Sequence, residues 1–492
     1  MLEACFLGHQ GWLLSSASTR VLVDPLLTDR FGHGGGVGVV HPPRRIDLSA
    51  FPPVDAVILS HEHDDHFDVP SIHRLDRRIP IHLSSRASNA SRALLRDMGF
   101  TVHPLRPNAT LAVGDLRYRS FVADHVRGPV EDEWGVFPFL LYDTGGHGSV
   151  LSAIDVEPRD DGLAQLGRLA PPGLWCYANN TTDSRFQDAL RGPSAAPPTD
   201  DTPLLARVVA RRHAQIEQAW GHPLATLVGG AGWAFEGDRA WINHHAFPID
   251  PNRLCEALAR ACPSASFTAP VPGETFVQHE GRLLAERPRA PFIAVPPRSQ
   301  WPTRTHDPTV PVRDHAPVLS GRAFGEAQLQ TLIDELGDFA RYLYGGAVFR
   351  ALQSLTEDDL HGRRCALAIA LRRADGPPYV LRYEPEACGF TRQPSTDAIE
   401  EFASGLECWG ADLLGLMRGE LGVSALCFAG RMRVWNHAPR RLRWSPHDLW
   451  MFGHPLRRPA AATQLYRVLR AQLPESTERV RFSGSAPVGR PD

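Results

Sequence analysis

"AVILSHEHDDHFD", residues 56–68, sets an apolar run directly before six positions that hold three histidines and three acids. "DAVILS" reads as a buried strand. The polar cluster opens where that strand ends, which is where α/β proteins place their sites. Charges so close repel one another, and a solvated helix start would leave that repulsion without compensation. Divalent cations offset it, because imidazole nitrogen and carboxylate oxygen are donors that such ions take. Within the run, His61, His63, Asp65 and His66 form the pattern H-x-H-x-D-H. His61 and His63, one residue apart, can converge on one ion from a turn, and Asp65 with His66 faces a neighbouring ion.

This motif resembles that of the metallo-β-lactamase fold superfamily. The resemblance implies an α/β fold, an αββα sandwich with a dinuclear site, and it implies further ligands. His125 in "FVADHVRG" stands where the family supplies the third ligand of the first metal. Asp155 in "VLSAIDVE" stands where the family has its bridging carboxylate, so Asp65 and Asp155 are the acids expected to take part in the chemistry. Asp24 in "VLVDPLL" would orient a ligand histidine from behind, and His9 in "FLGHQGW" matches the glycine-histidine opening of the lactonase-like branch. The last ligand stays open. Many members carry a histidine after a late strand, but "ATLVGGAGWAFEGD" has Gly and Ala there. Glu236 and His245 are the expected replacements, with Asp238 and His244 as neighbouring candidates. Glu131, Asp132 and Glu133 are candidates to replace or join His125. A carboxylate-rich second site is harder and favours iron over zinc or manganese.

A narrower resemblance is to the catalytic part of CMP-N-acetylneuraminic acid hydroxylase. It is carried by "SHEHDDHFDVPSIHRL", "GAGWAFEGD", "PIDPNRL" and "GRMRVWNHAP". That family is an oxygenase fed by a Rieske cluster. The present chain has no C-x-H…C-x-x-H pair, so the resemblance implies electrons from a separate reductase. Two expectations compete. One is a nonheme diiron oxygenase that uses dioxygen to hydroxylate a small molecule or natural-product intermediate. The other is a zinc or manganese hydrolase of an ester, lactone or phosphodiester.

The bulk numbers narrow the field. At 492 residues the chain exceeds one hydrophobic core. Hydrophobic residues make up 43% and charged residues 22%, which is ordinary for a soluble globular protein. A net charge of -3 gives no footprint for nucleic acid. No apolar stretch is long enough to span a membrane, and the first residues lack the pattern of a secretion signal, so a cytoplasmic location is expected. All 52 basic residues are arginine, which removes Schiff-base chemistry and the Walker A lysine. Eight cysteines without a C-x-x-C pair read as buried reduced thiols.

Three segments are expected: a catalytic domain over 1–286, a proline-rich linker or surface strap over 287–317, and an α+β accessory domain over 318–492. In the last, Leu329, Leu332, Ile333, Leu336, Phe339 and Leu343 share a helical face. Two strands follow around a D-G-P-P turn, then a helix over "STDAIEEFASGLECWGADLLGLMRGEL" and a strand in "SALCFAGRMRVW". The pattern from about 364 to 436 resembles a sterol-carrier-type module, which encloses an apolar tunnel and implies a substrate with an apolar portion; an ordinary packing domain is the alternative.

Overall fold

The structure is a computed structural model that describes residues 1–123, 135–182, 201–223, 225–307, 309–356, 360, 362–437, 446–475 and 478–484. The strand Ala56–Leu59 forms where the sequence places it, and all four of its side chains are buried. It lies in an eight-stranded sheet, parallel to Arg20–Val23 on one side and to Ile81–Ser84 on the other. Strands buried on both faces read as continuous apolar runs, which is why "VLV" and "AVIL" carry no alternation.

A second, seven-stranded sheet runs from Thr110–Val113 through Ser149–Ser152 and Leu174–Ala178 to Ala225–Gly229 and Phe267–Thr268. The inner faces of the two sheets share a core that includes Phe6, Trp12, Ile58, Leu141 and Leu227. Helices Val69–His73 and Asn89–Asp97 cover the outside of the first sheet, sharing a core with Leu59 and Leu83. Helices Thr202–Trp220 and Pro251–Ala261 cover the second, packing on Trp175 and Val228. The layers are therefore helix, sheet, sheet, helix.

The Asn89–Asp97 helix begins at Ser88, whose hydroxyl accepts from the Ser91 N–H. "YDTGGHGSV" makes a hairpin, with Gly146 at φ 73° and the strands Phe139–Asp143 and Ser149–Ser152 antiparallel.

The proline-rich stretch is tied down. Ile293–Ala294 pairs with Arg45–Ile46, and Arg304 donates to the Ala231 carbonyl at 2.7 Å. Beyond it lies a five-stranded sheet ordered Gly389–Gln393, Tyr379–Glu384, Arg364–Arg372, Phe402–Trp409, Arg433–Asn436. Two expectations fail here. "FASGLECW" is a strand and not part of a helix; it pairs in parallel with Arg364–Arg372, and its Phe402, Leu406 and Cys408 are buried. Phe, Cys and Trp fit a pleated buried surface, and that tertiary demand overrides the local helical spacing. In "SALCFAGRMRVW", Ser424–Cys427 is a helical turn, and the strand starts only at Arg433.

The chain then returns to the first sheet. Helix Pro459–Ala471 packs by Ala462 and Tyr466 into the core around Leu59, and Val480 bridges to Leu75. All eight cysteines are free; Cys365 is exposed, so it is not one of the buried thiols that the sequence suggested. Among the described residues no helix is long and apolar enough to cross a membrane.

Candidate metal centre

Strand ends and tight turns bring five donor side chains together. His61, His63, Asp65 and His66 follow the strand Ala56–Leu59, and Asp155 follows the strand Ser149–Ser152 of the other sheet. Asp155 Oδ2 lies 3.4 Å from His61 Nε2 and 3.1 Å from His66 Nε2. Asp65 Oδ2 lies 3.4 Å from His66 Nε2. The groups His61–His63–Asp65 and His61–His66–Asp155 each gather three ligand atoms within 4.8 Å. The sites share His61, so they are neighbours.

Whether these residues fit metal ions can be read from their hydrogen bonds. Nε2 of His61, His63 and His66 is buried without a hydrogen-bond partner among the described residues. Orphaned buried nitrogens are costly unless a cation takes their lone pairs. The rear bonds prepare those lone pairs. Asp24 accepts the Ser60 N–H at 2.7 Å, the Ser60 hydroxyl at 2.6 Å and His66 Nδ1–H at 2.8 Å. Since the Ser60 proton goes to Asp24, its oxygen accepts from His61 Nδ1–H at 2.9 Å. Both rings are thereby fixed as the tautomer whose Nε2 is a bare donor. The residues fit.

Asp24 and His9 both occupy the left-handed region, at φ 43° and φ 53°, and Ile154 beside Asp155 does so at φ 57°. Such backbones cost about 1–3 kcal/mol each and persist where the surroundings fix them. The two rings differ in charge preference. Burial, with His66 and His63 nearby, holds His61 well below its usual pKa, which suits a neutral ligand. His66 lies well above its usual value: burial pulls it down, but Asp65, Asp155 and Asp24 together outweigh that.

His9 stands behind Asp65. Its Nδ1 accepts from the Gly232 N–H at 3.1 Å, so its Nε2 carries the proton and donates to Asp65 Oδ2 at 2.9 Å. His9 therefore orients a ligand, as a supporting residue.

The structure places Glu236 and His245 away from this cluster. Glu236 is exposed and pairs with Arg30 at 2.8 Å. His245 Nε2 donates to the Val310 carbonyl at 2.9 Å, and His244 Nδ1 to that of Thr305 at 3.0 Å. Asp238 accepts the Ala316 N–H at 2.8 Å. The strap over 287–317 thus takes up three of these four polar groups, and none of the four is in the metal-ligand groups among the described residues. His125, Glu131, Asp132 and Glu133 lie outside the described residues.

Three contributors gave no sequence signal. Ser60 relays Asp24 to His61. Asn180, which follows the strand Leu174–Ala178, donates to Asp155 Oδ1 at 2.5 Å and accepts from the Ala231 N–H at 2.8 Å. Trp450 sets its ring 5.1 Å from that of His63. A lone Ser, Asn or Trp far away in sequence has no pattern to betray it.

Residues 19–150 match the Beta-lactamase superfamily domain. The fold is that of the metallo-β-lactamases. Uncharacterized proteins of Mycobacterium tuberculosis and Mycobacterium bovis are 41% identical over 73 residues, which is 14% of this chain and 19% of theirs. The chain therefore spans about a fifth of the length of the curated relatives it matches.

Among solved structures, an isothiocyanate hydrolase from Delia radicum gut bacteria shares 16% identity at a TM-score of 0.37, covering 56% of this chain and 98% of that one. CmlA, a diiron β-hydroxylase from Streptomyces venezuelae, shares 18% at 0.35, covering 55% and 53%. Igni18, a metallo hydrolase from Ignicoccus hospitalis, shares 14% at 0.35, covering 57% and 98%.

Proposed function

We propose that this protein is a dinuclear metal enzyme that oxidises a small molecule with dioxygen, using iron. One observation carries the choice. At Gly230 and Gly232 the turn after the strand Ala225–Gly229 has no room for a side chain. A Cβ on Gly230 would lie 2.5 Å from Asn180 Oδ1, and one on Gly232 would lie 2.6 Å from His9 Cα. Gly230 also sits at φ 88°. Among the described residues the two groups are then His61, His63 and Asp65, and His61, His66 and Asp155, each with one carboxylate. A group with a carboxylate in place of a further histidine is harder than an all-histidine one and suits iron better than zinc.

His61 and His63 would hold the first ion, Asp65 and His66 the second, with Asp155 reaching toward both. When bound, a pair of irons supplies dioxygen reduction and oxygen insertion into a C–H or N–H bond, chemistry that no side chain has. The balance needs two electrons and two protons, which an external reductase and solvent would provide. The chain's own residues orient and exclude. Asp24 and Ser60 keep two imidazoles in the ligating tautomer, His9 holds Asp65, and Asn180 holds Asp155. Trp450 shields the His63 ring.

The test is elemental analysis of protein from iron-supplemented cells, paired with oxygen uptake after chemical reduction. Near two irons per chain with uptake on reduction is expected. Two zincs per chain, with turnover of an ester, lactone or phosphodiester and no uptake, would replace this reading with the hydrolase.

A further inference from the structure

Beside His63 lies a pocket of about 70 Å³ that the two sheets alone do not form. Its polar edge comes from the metal motif and its surroundings: His63, Asp64 and, across from His63, His454 with ring centroids 6.2 Å apart. Its apolar wall comes from distant sequence: Leu416, Leu421 and Val423, then Trp450 and Leu465. The two sides are pinned together, because the Ser424 hydroxyl donates to the Asp64 carboxylate. His63 is only half-buried, so its ring shows a face to this space even though its Nε2 is covered. Arg458, also at the pocket, is spent on the Met417 carbonyl at 2.7 Å. The acids Glu62 and Asp64 at the same edge disfavour an anion.

We infer that this pocket binds the uncharged apolar part of the substrate, so that residues 416–424 and 450–466 set specificity for a site whose metal ligands are His61, His63, Asp65, His66 and Asp155. The inference rests on the metal-enzyme reading above, since it makes the His63 side of the pocket the place where the reacting end of the molecule arrives. Size limits the ligand. One water needs roughly 10–15 Å³ by this measure, so the pocket holds about five water-sized groups, which is an aliphatic chain or single ring of about five carbons. An apolar cleft with few convergent polar groups is the usual form of a small-molecule site.

The test uses 1-alkanols from propanol to octanol as probes, with binding to the metal-loaded protein followed by ligand-observed NMR. Affinity is expected to rise about fourfold per methylene up to five or six carbons and then to level off. Gly422 lines the pocket, and a Cβ there would meet only ordinary contacts, Ser424 Oγ at 3.8 Å and Leu465 Cδ2 at 3.9 Å. Gly422→Leu should lower 1-pentanol affinity at least tenfold while metal content stays at the wild-type level. Ala461→Leu, on the helix Pro459–Ala471, is the second blocking variant. A folded variant of either kind that keeps both its metal and its full pentanol affinity overturns the inference, and so does affinity that ignores chain length. Metal content and oxygen uptake are read separately, so failure of the pocket and failure of the metal reading give different results.

Discussion

Replacing Asp24 with asparagine keeps the size of the side chain and removes the charge on which two imidazoles depend. The carboxylate accepts three hydrogen bonds, and an amide nitrogen in place of Oδ2 would face the donors Ser60 Oγ–H and His66 Nδ1–H. Rear partners of this kind are worth about 10–100-fold in metal affinity. Asp24→Asn should lose that much in a chelator-competition titration; a change within twofold would show that Asp24 serves the fold alone. His63→Ala should remove the first ion and leave the fold standing, since His63 offers a ring edge to Trp450 and no hydrogen bond from its Nε2. Elemental analysis beside a melting curve decides that, and full metal occupancy would refute the assignment. The motif and Asp24 were legible because spacing and position announce them. Ser60 and Asn180 were not, because their roles follow from hydrogen-bond geometry.

At the scale of elements, the glycine turn and the strap act together on the site. Ala231 sits at φ 44° between Gly230 and Gly232, and its carbonyl accepts from Arg304. Arg304 is half-buried, lies 3.6 Å over the Phe247 ring, and is pushed down to about 9 by desolvation of its guanidinium. Arg304→Ala should cost about 1.5–3 kcal/mol, the worth of a hydrogen bond to a charged donor, in urea unfolding. It should also lower metal affinity, because the same turn fixes His9 and Asn180. Unchanged affinity in the folded variant would break that link. Gly230→Ala meets both a positive φ and an oxygen at 2.5 Å, so a loss of about 2 kcal/mol or more is expected by the same measurement. The proline-rich composition of 287–317 showed a stiff segment, but composition says nothing about what a stiff segment lies on. That is why Glu236 and His245 looked available for a metal.

Over the whole molecule, the C-terminal residues complete the body that holds the site. Tyr466 and Val480 are buried in the core behind the strand Ala56–Leu59, and Ser483 reaches Asp55. Arg239 donates to the Ala429 carbonyl at 3.2 Å and Arg431 to that of Gly36 at 2.8 Å. A fragment ending at residue 286 would expose that core. It should aggregate, or melt well below the full chain, in size-exclusion and thermal unfolding; a monodisperse, equally stable fragment would contradict the packing.

From the order of residues alone came the strand-tip motif and its imidazole and carboxylate donors, and the resemblance carried by that motif implied the layered α/β fold. Those depend on period and on spacing within a few positions. The folded chain alone decided which rear groups fix each tautomer, why Gly230 and Gly232 take no side chain, and that "FASGLECW" is a central strand. It also decided that residues 416–424 and 450–466 line a pocket with His63. Each of these is a contact between segments tens to hundreds of residues apart, and local pattern carries no information about which distant surfaces must cover one another.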